Sequence, residues 1–257
     1  MQKRLPQKTR RGTPPRPATV NREFEVMKRI FNLGIREDMV DRNPCFKVAK
    51  LPEENARDRI LSPDEFLALT EKLPQHAAEM VRMGYYTGMR FGEIAGLTWD
   101  RVDLKEGFVT LRPEDTKTSK PRRVYLVPQA IEVLERARKV RGISHRYVFT
   151  YKGKPVRSIK TALKTALRET GIKGFRFHDL RRTFNMNMQR AGVRNTVTME
   201  MTGHKTLAMF TRYSSMDPSD AQEAVAKFAS FLEKEGATTS HSTSHTKKGV
   251  GTECLTP

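Results

Sequence analysis

The chain has 257 residues, 37% of them hydrophobic, and carries a formal net charge of +19. That length accommodates one large domain, or a medium domain with a smaller piece, and the charge calls for an anionic partner. No run of about 18 apolar residues occurs, and nothing apolar follows Met1-Gln2-Lys3-Arg4-Leu5-Pro6, so neither a membrane span nor a secretory signal is expected. The two cysteines, Cys45 and Cys254, lie far apart and make neither a disulfide framework nor a zinc signature. A reducing, cytoplasmic setting is the expectation that follows.

The basic excess is concentrated. Residues 1–16 hold six Lys or Arg and no acid, and residues 112–182 hold twenty basic against six acidic side chains. From Lys205 onward the signs balance, six and six. A face that tracks nucleic-acid phosphates has this character, whereas a membrane-surface role would want an amphipathic basic helix with exposed aromatics.

In chain order, residues 1–18 are rich in Lys, Arg, Pro and Thr and read as a disordered basic N-terminus. From Val20, the positions Phe24, Met27, Ile30, Phe31 and Leu33 recur near helical spacing and predict a helix that ends at Asn43-Pro44. Lys50 to Asn55 lacks periodicity and reads as a linker. Ser62-Pro63-Asp64-Glu65 places a cap, a first-turn proline and an acid three residues on, a strong helix start. Further helices are predicted near 77–86 and 91–97. The period then changes, and 107–111 and 123–127 read as two strands around the polar turn 114–121. Helices follow near 129–140, 158–169, 179–191 and 218–234, and residues 236–257 read as a disordered tail. The last helix carries Ala221, Ala224, Val225, Phe228, Phe231 and Leu232 along one stripe. The fold class is mainly α (α+β), helical with a small antiparallel sheet.

Five features carry candidate chemistry. In Thr87-Gly88-Met89-Arg90-Phe91-Gly92-Glu93, a glycine-ended helix is followed at once by an arginine and then an acid. In His178-Asp179-Leu180-Arg181, the i, i+3 spacing puts an imidazole and a guanidinium on one helix face. An arginine fork matches two phosphate oxygens, and a histidine exchanges protons near neutral pH. Gly203-His204 stands nine residues ahead of Tyr213. Lys117 and Lys120 sit in the turn between the two strands, and the basic context is the fifth feature. Singly, each has an ordinary structural explanation: a solvated helix-start charge, a salt bridge, a packing tyrosine.

Together, in this order, they resemble the tyrosine recombinases, or phage integrase family, from about Arg57 to Phe231 with weaker likeness back to Val20. The resemblance implies a helical DNA breaking-rejoining catalytic domain over 56–235, preceded by a partial helical core-binding region over 19–55. It implies double-stranded DNA as substrate, no cofactor and no metal. Arg90 and Arg181 would grip the scissile phosphate, Tyr213 would attack it to form a 3′-phosphotyrosine, and His178 would assist removal of the phenolic proton. His204 would donate a hydrogen bond to a phosphate oxygen, and Lys117, with Lys120 as the alternative, would protonate the leaving 5′-oxygen. Glu93 would support the basic groups. Self-association as a tetramer on DNA through the C-terminal helix is implied as well.

Departures from the family pattern matter too. Only about 55 residues precede the catalytic part, where typical members have roughly a hundred in an arm-binding or core-binding region, which keeps open a truncated, non-catalytic DNA-binding remnant of a mobile-element integrase. Asn185-Met186-Asn187-Met188 is more polar than usual after the Arg181 motif, and Thr202 stands where Leu is frequent. A type IB topoisomerase shares the chemistry, but the His204 to Tyr213 spacing favours a recombinase.

Overall fold

A computed structural model describes residues 12–53, 59–116, 120–140, 146–204, 206, 207, 210, 225, 226 and 228–230. The chain divides into two compact units, Met1–Arg57 and Asp58–Pro257.

The first unit is built on one helix, α1 (Pro17–Arg36), which opens with a proline in its first turn. It ends at Arg36, short of the predicted Asn43. Asp38 takes a left-handed φ of 53°, and the Met39 N–H donates back to Gly34 O at 2.8 Å, reversing the chain. Asn43 has a different task from ending the helix. Its Nδ2 donates to Lys28 O at 3.0 Å and to Asn32 Oδ1 at 2.6 Å, fastening the returning segment onto α1. Farther along, buried Asn21 exchanges two hydrogen bonds with the Leu51 backbone, at 2.8 and 2.9 Å. The stretch read as a linker is thus tied along the helix.

The second unit is helical with two small antiparallel sheets, where the sequence predicts a helical fold with one. It opens with α2 (Pro63–Lys72), whose Ser62 cap accepts from the Glu65 N–H while the Glu65 carboxylate accepts from the Ser62 N–H. The helices α3 (Gln75–Thr87) and α4 (Phe91–Ala95) follow. The first sheet has the order β1 (Val102–Asp103), β2 (Phe108–Leu111), β3 (Arg122–Tyr125), with Leu111 opposite Arg122. β3 begins one residue before the predicted start, and β1 is too short to show a period in sequence. After α5 (Pro128–Lys139) comes a hairpin, β4 (Thr150–Tyr151) and β5 (Lys154–Pro155). It turns through Lys152 and Gly153 with φ of 49° and 73°, the signature of a tight two-residue turn. Then come α6 (Lys160–Glu169), α7 (Asp179–Arg190) and α8 (Asn195–Thr202). The sequence reading missed α8 because its Asn, Val and three Thr are poor helix formers. Of the predicted helix 218–234, the residues 225, 226 and 228–230 are helical, with Val225 and Phe228 exposed, and the rest lies outside the described residues.

The core gathers on α3, with buried Ala77, Met80, Val81 and Met83 facing Leu134 of α5, Val109 and Val124 of the sheet, and Leu180 of α7. α3 and α7 meet so closely that a Cβ on Gly84 would lie 2.8 Å from Leu180 Cδ1, and one on Gly88 would lie 2.6 Å from Phe184 Cδ1. Across α3 and α5, the buried Glu79 carboxylate accepts from Arg136 Nε at 3.0 Å.

The beginning of this unit is pinned to α7 by one buried hydroxyl. Thr183 Oγ1 donates to Asp179 O at 3.0 Å and accepts from the Leu61 N–H at 3.0 Å. Thr183→Val keeps the shape and strands the Leu61 N–H, so it should lower unfolding free energy by about 1–3 kcal/mol. Urea denaturation followed by circular dichroism measures this, and a loss well below that range would show that the pin does not matter.

Candidate active site

The site forms where two helices end. α3 stops at Gly88, whose φ of 63° is left-handed, and α8 stops at Gly203 with φ of 70°. Such ends leave carbonyls without intrahelical partners and carry the negative pole of the helix. Arg181, on the first turn of α7 and only 4% exposed, answers both: Nη1 donates to Gly88 O at 3.0 Å, and Nη2 donates to Thr202 O.

Arg90 comes directly after the α3 end and serves as N-cap of α4. Its backbone N–H and its Nη1 each donate to Glu93, at 2.8 and 2.8 Å. The same carboxylate, with its side chain 2% exposed, accepts from Arg122 Nη2 at 2.7 Å. Arg122 Nε in turn donates to Met201 O at 2.9 Å, the carbonyl beside the one that Arg181 holds. Burial pushes the Glu93 pKa up, but the hydrogen bonds and charges of Arg122 and Arg90 outweigh it and leave the carboxyl below its ordinary value.

Two imidazoles complete the cluster. His178 caps the start of α7 and is partly open to solvent, but desolvation, then Arg181 and Arg90, still lower its pKa. His204 is half-buried, 3.4 Å from Arg181 Nη2 and 2.7 Å from Thr202 Oγ1, with Phe210 edge-on at 5.6 Å. Desolvation, followed by Arg181, Arg90, His178 and Arg122, pushes its pKa down to about 3, so the ring is neutral at pH 7. Three guanidinium groups and two imidazoles therefore gather near the Glu93 carboxylate, with Asp179 beside His178 as a second acid. This is a site with a strong surplus of positive potential, suited to an anion.

Of the residues singled out in sequence, Arg90, Glu93, His178, Arg181 and His204 come together here. Lys117 and Tyr213 lie outside the described residues. Lys120 is exposed and lines a cavity of about 880 Å³ between β3 and α8, together with Arg122, Gly203 and His204. Two participants went unnoticed in sequence. Arg122 shares the inward face of β3 with buried Val124, a charged residue in a core-facing phase, which a correct strand start would have revealed. Thr202 stood out only as a departure.

A profile of the phage integrase family matches residues 59–220. The chain belongs to that family. Among its relatives, the integrase of Salmonella phage P22 is 31% identical over 256 residues, covering 93% of this chain and 64% of that protein. The ICEBs1 integrase of Bacillus subtilis is 25% identical, covering 83% of this chain and 66% of its own length. The chain thus spans just under two thirds of these two integrases. In fold, it is similar to the Tn1549 transposon integrase, solved in complex with circular intermediate DNA, with a TM-score of 0.65, 17% identity, and 81% and 78% of the two chains covered. Family membership gives the convergence of Arg90, His178, Arg181 and His204 its context.

Two outcomes follow from this geometry. Arg122→Met removes one of the two guanidinium partners of buried Glu93 and the side-chain donor to the Met201 carbonyl, and should cost about 1–3 kcal/mol in urea unfolding. The second outcome concerns acid. Because the folded pKa of His204 lies near 3 and its ordinary value is 6.5, the unfolded chain binds more protons between those values. The stability that this ring contributes is complete above pH 6.5 and is lost as pH falls toward 3. In phosphate-free buffer, the fall in Tm between about pH 7 and pH 5 should be shallower in His204→Gln than in the native protein. Equal slopes would contradict the neutral, cation-surrounded ring.

Proposed function

We propose that this chain is a site-specific DNA recombinase of the integrase type, cutting and rejoining double-stranded DNA through a 3′-phosphotyrosine. The observation that carries this reading is the Arg181 guanidinium, held between two helix ends beside Arg90 and both imidazoles, in a cluster with the Glu93 carboxylate. Fixed positive charge of this kind stabilises the extra negative charge that builds on a phosphate under attack. It does work that other phosphoryl-transfer enzymes assign to metal ions, so the reading calls for no cofactor.

In the reaction, the Tyr213 phenol oxygen attacks phosphorus in line, forming the O–P bond as the bond to the 5′-oxygen breaks. His178 accepts the phenolic proton, and the Lys117 ammonium, with Lys120 as the alternative, gives a proton to the departing 5′-oxygen. Arg90 and Arg181 hold the non-bridging oxygens, His204 hydrogen-bonds one of them, and Glu93 keeps Arg90 oriented. The reverse attack by a new 5′-hydroxyl rejoins the strand with no energy input. Assembly on DNA as a tetramer through the C-terminal helix is part of the same reading, supported by the exposed Val225 and Phe228. The lambda integrase, solved both as a dimer bound to a core site and as a tetramer bound to a Holliday junction, supports it by analogy of fold. The cysteine usage supports a cytoplasmic setting, and no described helix is long and apolar enough to cross a membrane.

The test uses end-labelled duplexes with one nick and randomised flanking sequence. Native protein should convert a subset of this pool into adducts that survive boiling in detergent, and sequencing those adducts gives the preferred site. Tyr213→Phe should yield none. Adducts that persist in Tyr213→Phe, or DNA binding by the native chain without any adduct, would overturn the reading.

A further inference from the structure

Thr202 is fully buried and closes α8 just before the left-handed Gly203. Its hydroxyl oxygen lies 2.6 Å from Thr198 O and 2.7 Å from His204 Nδ1, with Met199 O more distant at 3.5 Å. A hydroxyl has a single proton and a carbonyl has none to give. Two oxygens 2.6 Å apart, both on residues with no exposed surface, require that proton between them. The contact with the imidazole must then run the other way, with Nδ1–H donating and Thr202 Oγ1 accepting. We propose that Thr202 is a positioning residue that fixes neutral His204 in its Nδ1–H tautomer, making Nε2 the proton-accepting nitrogen of the resting site.

The surroundings support a fixed tautomer. Arg181 Nη2 is 3.4 Å from both ring nitrogens, and Phe210 meets the ring edge-on at 78°, so the ring plane is held from two sides. The charged and titratable groups near it (Arg181, Arg90, His178 and Arg122) all oppose a second ring proton. Turning the hydroxyl toward Nδ1 instead would set its lone pairs against Thr198 O in a dry interior, where an unmade bond costs about 1–3 kcal/mol.

The consequence, which rests on the recombinase reading, alters the task of His204. A phosphodiester oxygen offers only lone pairs, so the resting ring cannot donate to it from Nε2. It does so after Nε2 has taken up a proton, which the phosphate's own negative charge favours. Phosphate engagement by His204 is therefore coupled to proton uptake, and Thr202 imposes the coupling.

Two arms test this. The first needs no DNA: two-bond proton–nitrogen correlation of the imidazoles in nitrogen-15-labelled protein near neutral pH, with His204 assigned by comparison with His204→Gln. Native protein and Thr202→Ser should show the Nδ1–H form. Thr202→Val, equal in shape, should show mainly the Nε2–H form, with the same spectra confirming the fold. A native ring in the Nε2–H form, or an Nδ1–H ring retained in Thr202→Val, would overturn the proposal. The second arm uses the duplex recovered from the nicked pool. Thr202→Val presents Nε2–H without proton uptake, so at about pH 8 it should raise the single-turnover rate of adduct formation at saturating DNA by about threefold or more, with half-saturation changed by less than about twofold and Thr202→Ser keeping the native rate. An unchanged rate in Thr202→Val would remove the tautomer's role in catalysis. Absence of any native adduct, with the first arm positive, would sink the recombinase reading and leave the tautomer assignment standing.

Discussion

An arginine clamped between the ends of two helices is the constraint on which the rest of the site depends. A helix that stops leaves its last carbonyls pointing outward with partial negative charge, and two such ends facing one another would repel. Arg181 lies between them and donates to Gly88 O of one and Thr202 O of the other. A planar fork with donors on both arms can do this, and a lysine point charge cannot serve both carbonyls in the same way. The two left-handed glycines, Gly88 and Gly203, are what bring the carbonyls into reach. The position of the guanidinium is therefore fixed by backbone, the most rigid support a protein offers. Gly88 gives that support a tight fit, since any Cβ there would run into Phe184 of α7.

Once Arg181 is in place, the charge balance of the site follows. Arg90 and Arg122 share the single Glu93 carboxylate, and Arg122 also holds Met201 O next to the carbonyl of Thr202. One ion-paired triad thus links α4, β3 and the end of α8, the three elements that meet around the arginine. Burial first, and then the guanidinium charge gathered around Glu93, lower the pKa of both imidazoles. In the proposed reaction, the same preorganised charge would act on a phosphate in the transition state without any rearrangement of solvent.

Much of this was legible in the sequence, and the reasons differ by element. The Ser62 capping box, the Gly88 helix end and the α7 helix announce themselves through local chemistry, because a cap or a left-handed glycine is decided within a few residues. Arg90, Glu93, His178, Arg181 and His204 could be singled out together through the family resemblance, since no single spacing reveals that residues so far apart in the chain converge. What stayed hidden depends on distant partners. α8 forms from weak helix formers because tertiary contacts override propensity. α1 ends early because the chain reverses at left-handed Asp38, and Asn43 then fastens the returning segment to Lys28 and Asn32, a long-range tie that a proline signal does not express. Arg122 was hidden because the strand was started one residue late, which left it at the edge of the polar turn and outside the alternation that puts it on the Val124 face.

The hairpin that carries Lys117 shows how the same logic extends to a group supplied from a turn. At its base, buried Arg101 pairs with Asp115 at 3.0 Å, and Thr116 Oγ1 donates to Lys120 O at 3.1 Å, joining the two sides of the turn. On the far side, β3 begins at once with Arg122, which is bonded to Glu93 and Met201 O. The turn therefore leaves from one anchored point and returns to another that belongs to the arginine cluster itself. A general acid needs to reach the leaving oxygen only in the reacting complex, and a turn with both ends fixed supplies that reach without loosening the arginines. Rigid backbone carbonyls position the charges, while in the proposed reaction the proton donor would come from the turn between β2 and β3, whose described ends are both anchored.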